Sequence, residues 1–69
     1  MNRAEHMQWC KDRSLAYLPH NPHEAMISML SDLGKHSETQ RAVELGFMLM
    51  MATDKKDLEA VRRFIEGFN

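Results

Sequence analysis

The sequence predicts an all-α protein: one compact four-helix domain that spans residues 1–69. Three observations lead to this prediction. Apolar residues recur every three or four positions, strand-like alternation of apolar and polar residues is absent, and two prolines and three glycines separate the periodic segments. A chain of 69 residues has no room for a second domain, and a domain this small often needs a disulfide, a metal or a partner subunit for stability.

The first helix is predicted from about Arg3 to Leu18, on the basis of the residues at its two ends. Asn2 is suited to the N-cap position, and Glu5 follows three residues later, where its side chain completes a capping box. Pro19 ends the helix, because a residue that precedes proline is disfavoured in the α conformation.

The second helix is predicted to begin after Asn21, which is a good N-cap residue. Pro22 then occupies the first helical position, where the missing N–H has no helical partner to lose. The helix is expected to run to about Leu33. Gly34 is expected to end it as a residue in the left-handed conformation that often follows a helix.

The third helix is predicted over residues 38–52, with Ser37 as its N-cap, and the fourth begins after Thr53 or Asp54 as N-cap. The fourth helix is expected to end near Gly67. The predicted architecture is therefore four helices joined by short turns, with the turn residues supplied by proline, glycine and small polar side chains.

Helices 2 and 4 each have one apolar stripe with the spacing of a half-buried helix. The stripe of helix 2 consists of Met26, Met29, Leu30 and Leu33, flanked by Ile27. The stripe of helix 4 consists of Leu58, Val61, Phe64, Ile65 and Phe68. Charged residues occupy the opposite side of helix 4, so we expect both stripes to face a shared core, with Leu30, Val61 and Ile65 nearly fully buried.

Helix 3 is apolar around almost its whole circumference. Such a helix is buried on most sides, so it is either the central helix of the fold or a helix with one face covered by another subunit. We expect Phe47 in the core and a homodimer with helix 3 residues such as Met48 and Met51, or a face of helix 4, at the contact. Gly46 costs helix stability relative to alanine, and we expect a neighbouring helix to approach closely there.

Trp9 lies nearly opposite the apolar side of helix 1 at 100° per residue. Two interpretations are open. A tryptophan in a small domain commonly packs over the end of a neighbouring helix. Alternatively, Trp9 is an exposed anchor for a partner protein, surrounded by Glu5, Asp12 and Arg13 as a polar rim.

The residues that could support chemistry form weak patterns. Cys10 lies on the apolar side of helix 1 and is interpreted as a small buried hydrophobe rather than a reactive thiol. His20 and His23 flank a turn, and His6 or His36 could join them, but the spacing matches no known metal motif. The sequence therefore predicts a protein that is not an enzyme and has no cofactor or metal.

Nine basic and ten acidic residues leave a net charge of −1, which argues against a general attraction to nucleic acid or membrane surfaces. The basic pairs 55–56 and 62–63 are interleaved with acidic residues, as on a solvated helix face. No signal peptide or membrane span is predicted. A lone cysteine is typical of the cytoplasm, where thiols stay reduced.

Several segments resemble a group of short proteins encoded by bacteriophages and prophages. The segments are Arg3-Ala4-Glu5-His6, Trp9-Cys10-Lys11 with Arg13, Ser28-Met29-Leu30-Ser31-Asp32-Leu33, Lys35-His36, Glu38-Thr39, Glu44-Leu45-Gly46 and Arg62-Arg63-Phe64-Ile65-Glu66-Gly67-Phe68. The resemblance covers almost the whole chain. The group has no assigned biochemical activity, so the resemblance transfers no catalytic or binding residue.

The resemblance implies a phage accessory protein in a bacterial cytoplasm. By analogy, such small proteins act by binding and redirecting a host protein. The function we expect is therefore protein–protein interaction, as an inhibitor or modulator of a bacterial host or defence factor. The alternative is a small nucleic-acid-binding regulator. Some of the polar side chains of residues 37–41 are of the kind that contacts DNA bases.

Overall fold

The computed structural model describes residues 2–69, and this range folds into four α-helices. They are α1 (Arg3–Tyr17), α2 (Pro22–Leu33), α3 (Ala42–Met51) and α4 (Leu58–Glu66). The predicted all-α, four-helix domain is confirmed. No helix in the described part of the chain is long and apolar enough to cross a membrane.

The caps of the first two helices form as the sequence predicts. The Asn2 side chain accepts a hydrogen bond from the Glu5 backbone N–H at 2.8 Å, and the Glu5 carboxylate accepts one from the Asn2 N–H at 3.3 Å. Asn21 caps α2 by accepting from the Glu24 N–H at 3.0 Å. The prediction of a left-handed Gly34 is wrong, because its φ of −71° and ψ of −13° continue the right-handed turn toward the next segment.

Helix α3 is shorter than predicted. Residues 35–41 form consecutive turns, and the helix begins at Ala42 with no side-chain cap, so the prediction of Ser37 as N-cap is wrong. The buried Thr39 hydroxyl holds these turns by donating to the Leu33 carbonyl at 2.7 Å. This bond ties the segment to the end of α2.

Helix α4 begins three to four residues later than predicted. Its N-cap is Asp57, which accepts from the Glu59 and Ala60 N–H groups, both at 3.1 Å. The predicted caps have other partners, because the Thr53 hydroxyl donates to Leu49 at the end of α3. The other candidate, Asp54, accepts from the Lys56 N–H within the connecting turn. The helix ends at Glu66, with Gly67 as C-cap, as expected.

Helix α2 is the central helix of the fold. It packs against α1, α3 and α4, whereas α1 packs on α2 and α4. The four stripe residues of α2 are all buried, and so is the stripe of α4 except for Leu58, which is half-exposed. The core therefore lies between α1, α2 and α4, and the predicted burial of Leu30, Val61 and Ile65 is confirmed.

Helix α3 lies against one side of α2 and leaves much of its own surface exposed. Of the two interpretations of helix 3, the one that makes it the central helix is wrong. The predicted burial of Phe47 is also wrong, because this residue is 52% exposed. The expectation at Gly46 is confirmed. A Cβ atom there would lie 2.6 Å from Cδ2 of Leu30 and 2.8 Å from Cζ of Phe68, so the missing side chain lets α3 approach the core closely.

Candidate functional site

Trp9, the predicted anchor, is partly buried, and its ring contacts two side chains of its own helix. It packs against the core and stacks on the His6 ring, with 5.6 Å between centroids and 22° between planes. The Arg13 guanidinium carbon lies 4.9 Å from the ring centroid, within the range of a cation–π contact. The ring is thus already covered in part by its own chain.

The three predicted rim residues lie at the surface of α1, each with partners inside the molecule. Glu5 completes the capping box. Asp12 accepts a hydrogen bond from the Gln8 amide at 2.9 Å. Arg13 donates through Nε to Oδ2 of Asp32 at 2.9 Å, so this half-exposed side chain is paired with a buried carboxylate of its own chain.

Asp32 forms a buried ion-pair cluster that sequence reasoning missed. Its side chain is only 2% exposed, and Lys35 donates to Oδ1 at 3.0 Å while Arg13 holds Oδ2. A spacing of three residues along one helix turn could have indicated the Lys35 pair. The Arg13 pair joins residues 19 positions apart, so it depends on how α1 packs against α2.

His6 is buried beside this cluster, which the sequence did not indicate. Its Nε2 donates to the Asp32 carbonyl oxygen at 2.9 Å and lies 3.5 Å from Sγ of Cys10. Its ring also stacks on that of His36, with centroids 4.9 Å apart. The contacts of His6 therefore join α1, the end of α2 and the following turn.

Burial raises the pKa of the Cys10 thiol from 9.0 to about 11, and the nearby Asp32 carboxylate adds to this shift. The side chain has no exposed surface. A thiol with such a pKa is protonated at neutral pH and is a poor nucleophile. The interpretation of Cys10 as a small buried hydrophobe is confirmed.

His20 and His23 are both exposed near the turn between α1 and α2. Within residues 2–69, no group of three or more His, Cys, Asp or Glu side chains converges as a metal site would require. Neither histidine contributes to the Asp32 cluster.

Most of the large apolar side chains that are exposed in the described part of the chain belong to α3. Five large side chains are between 46% and 74% exposed, and we call them the α3 patch: Leu45, Phe47, Met48, Leu49 and Met51. Taking about 200 Å² for the full surface of a large side chain, the patch covers roughly 600 Å². This is at the upper end for the largest patch on a monomeric protein, and patches of that size are often functional.

The α3 patch lies on two sides of the helix, because one narrow strip of α3 between them packs against the core. Gly46 is buried, and Ala42, Val43 and Met50 are half-buried against the core. At 100° per residue, Leu45 and Leu49 then fall on the side that faces α4. The other three patch residues fall on the opposite side, where Glu44 also lies.

A groove of about 510 Å³ separates α3 from α4. The residues that line it are Ala42, Leu45, Leu49, Thr53, Ala60, Arg63, Phe64, Gly67, Phe68 and Asn69. Most of this lining is apolar, and Arg63 is its charged member. The groove and the exposed side of α3 are therefore continuous across the patch.

No family model, no curated protein and no solved structure matches this chain. The structure defines the class of this protein as a small four-helix domain with one largely exposed apolar helix.

Proposed function

We propose that this chain is a small phage-type accessory protein that acts by binding another protein in the bacterial cytoplasm, as an inhibitor or modulator of a host or defence factor. The single observation that carries this proposal is the α3 patch. Five large apolar side chains on one ten-residue helix remain in contact with water. Covering them with a partner releases that water, which is the main driving force of protein association.

The composition of the patch suits a binding surface. Methionine is unbranched and polarizable, so Met48 and Met51 can adapt to the shape of a partner. Phe47 supplies a rigid aromatic ring of the kind that contributes most to interface free energy. Conversely, the buried thiol of Cys10 and the internally paired Asp32 lie on the other side of α2 from the patch and are parts of the folded core.

The α1 surface around Trp9 is a weaker candidate for the same role. A binding hot spot needs a side chain that gains burial when the partner arrives. Trp9 is already packed against His6 and the core, and Arg13 is engaged with Asp32. The phage context itself is supported by the resemblance of the sequence segments.

The experiment compares partner capture by three versions of the protein in expressing bacteria, followed by mass spectrometry. Met48→Lys places a charge in the α3 patch, whereas Ile27→Lys places the same charge at a half-exposed apolar residue of α2 outside the patch. We expect both variants to keep the parental helix content. Met48→Lys should capture at least about tenfold less of the partner than the parent does, and Ile27→Lys should capture as much as the parent.

The captured protein is then purified, and its affinity for each version is measured directly. Equal binding by Met48→Lys and the parent would contradict a function carried by the patch. Binding of the purified chain to random duplex DNA, with an affinity that falls steeply with salt, would support the nucleic-acid-binding regulator instead.

A further inference from the structure

The groove between α3 and α4 is elongated, because each of its two walls is one face of a helix. We call it the α3–α4 groove. Its lining residues recur every three or four positions, at 42, 45 and 49 on α3 and at 60, 63, 64 and 67 along α4 and its C-cap. Each set covers about two helical turns, or about 10 Å along the helix axis. This shape suits a rod-like occupant.

The α3–α4 groove exists because α3 and α4 both pack on α2 without packing closely on each other. Among the described residues, the closely packed helix pairs are α1 with α2, α2 with α4, α2 with α3 and α1 with α4. Phe64 and Phe68 line the groove and are each 8% exposed, so they also belong to the core. An apolar side chain that enters the groove therefore contacts the core and is removed from water.

The groove is open to solvent along its α3 wall. Leu45 and Leu49 form this wall, and they are 61% and 46% exposed. A small-molecule site buries most of the surface of its ligand, and a wall as exposed as this one does not enclose a small molecule. An amphipathic helix inserts only its apolar face and keeps its polar face in water, so an open groove is sufficient to bind it.

Arg63 indicates the charge of the occupant. It is the charged residue of the groove lining, and it is exposed. Both ion pairs among residues 2–69 involve Asp32. Glu59 lies four residues before Arg63 on α4, at the spacing of a helical ion pair, yet the two do not pair in this part of the chain. A guanidinium group at an apolar groove favours a carboxylate, which it can bind through two parallel hydrogen bonds.

We propose that the α3–α4 groove binds an amphipathic α-helix of the partner protein, and that this helix carries a carboxylate beside its apolar stripe. The apolar side chains, spaced as i, i+3 or i+4, and i+7, pack against Leu45, Leu49 and Phe64. The carboxylate pairs with Arg63. This inference rests on the proposed function, because it names the segment and the charge through which a partner recognises the same exposed helix.

The test uses displayed peptides of randomised sequence and about 16 residues, which is long enough to form a helix. The peptides are selected separately on the purified parent, on Arg63→Glu and on Arg62→Glu. Arg62→Glu is the matched control, since it makes the same charge change at an exposed neighbour outside the groove lining.

Peptides selected on the parent and on Arg62→Glu should share a helical spacing of apolar residues with Asp or Glu beside it. Selection on Arg63→Glu should instead enrich Lys or Arg at that place, because the charge of the groove is reversed. Circular dichroism confirms that each variant is folded and measures the helix that the peptide gains on binding.

The affinity of one peptide selected on the parent is then measured by fluorescence polarization. Changing its acidic residue to Lys should weaken binding to the parent by about tenfold or more, and should strengthen binding to Arg63→Glu. Leu49→Lys, in the groove wall, should weaken binding of the original peptide by at least about tenfold. Ile27→Lys, on α2 outside the groove, should leave its affinity within about threefold of the parental value.

The inference is overturned if no peptide is enriched, if the enriched peptides lack helical spacing, or if their charge is the same on Arg63→Glu as on the parent. Binding of dodecanoate that depends on Arg63, without any enriched peptide, would assign the groove to a small apolar acid instead. A parent that sediments with the mass of two chains while Arg63→Glu sediments as one would assign it to a second copy.

The partner captured from bacteria separates this inference from the proposed function. Loss of that partner with Met48→Lys but not with Leu49→Lys leaves the function standing and overturns the groove as the docking site, because Met48 lies on the other side of α3. Peptide binding whose charge preference follows residue 63, together with partner capture that Met48→Lys does not change, supports the groove and overturns the function carried by the whole α3 patch.

Discussion

Asp32 is the residue around which the interface between α1 and α2 is organised. Its buried carboxylate binds Arg13 from α1 and Lys35 from the turn after α2. Its backbone carbonyl also accepts from His6, so both polar groups of one residue contact α1. A buried carboxylate without cationic partners destabilises a folded protein, so the loss of a cationic partner of Asp32 should destabilise this fold.

Arg13→Glu is expected to lower the free energy of unfolding by about 2–3 kcal/mol, because it removes a partner of Asp32 and places a second negative charge beside it. Urea denaturation measures the change. Arg62→Glu, an exposed residue of α4, is the control and should stay within about 0.5 kcal/mol of the parent. A loss below 0.5 kcal/mol for Arg13→Glu would show that the ion pair adds nothing to stability.

The buried thiol of Cys10 should make the folded protein less stable in alkaline solution. The pKa of the thiol is 9.0 in an ordinary environment and about 11 in the fold, so the folded state holds this proton more tightly. The contribution is fully present below pH 9 and is lost as the pH rises to 11, by up to about 2 kcal/mol. Denaturation at pH 7 and pH 10.5 should show this extra loss in the parent relative to Cys10→Ala. Parallel pH profiles for the two proteins would contradict it.

The position of helix α3 depends on the absence of a side chain at Gly46. Gly46 allows the helix to rest on Leu30 and Phe68, where a Cβ atom would overlap both side chains. The remaining contacts of α3 with the core are made by half-buried residues, so the helix is attached along one line. Its exposed side is therefore determined by where the glycine lies.

Gly46→Ala is expected to destabilise the protein by about 1 kcal/mol, since the cost of displacing Leu30 and Phe68 exceeds the gain in helix propensity. Gly34→Ala is the matched control. A Cβ there meets nothing closer than 3.5 Å, and the backbone is right-handed, so this change should stabilise by about 0.5 kcal/mol. Thermal melts measure both, and a stabilised Gly46→Ala would show that the two side chains move aside without cost.

Two phenylalanines distinguish the exposed helix from a core helix. Phe47→Ala on α3 should change the free energy of unfolding of the monomer by less than about 1 kcal/mol, because the ring is half-exposed. Phe64→Ala on α4 removes a buried ring and should cost about 3–5 kcal/mol. Measurements at low protein concentration keep dimerisation out of the comparison. Equal costs for the two variants would place Phe47 in the core after all.

The whole molecule combines a small core with a large apolar surface. Twelve buried apolar residues from three helices and the adjoining turns form the core, while the α3 patch stays in water. A domain of this size has a narrow margin of stability. Any partner that binds only the folded state therefore adds directly to that margin.

The melting temperature should rise with protein concentration, by about 5 °C for each tenfold increase, if the chain dimerises through the patch. Met48→Lys should melt at a temperature that does not depend on concentration. Scanning calorimetry across two decades of concentration checks both statements. A parent whose melting temperature is constant over that range would be inconsistent with a dimer that dissociates on unfolding.

Much of the local structure could be predicted because it depends on residues close in the chain. The capping box of Asn2 and Glu5, the entry of α2 at Asn21 and Pro22, and the buried stripe of α2 all follow from spacing and side-chain type. The close approach at Gly46 was also predictable, since a glycine inside an apolar helix needs a compensating contact. Homodimerisation through Met48 and Met51 stays a prediction.

The sequence by itself determined the number of helices, most of their ends and the apolar faces of α2 and α4. Only the tertiary structure decided which face of α3 is covered, because a helix that is apolar all round has no preferred side until it meets a neighbour. The ring contacts of Trp9 with His6 and Arg13 lie within α1 and are local in the sequence. The pairing of Arg13 with Asp32, by contrast, joins residues 19 positions apart and exists only once α1 packs on α2.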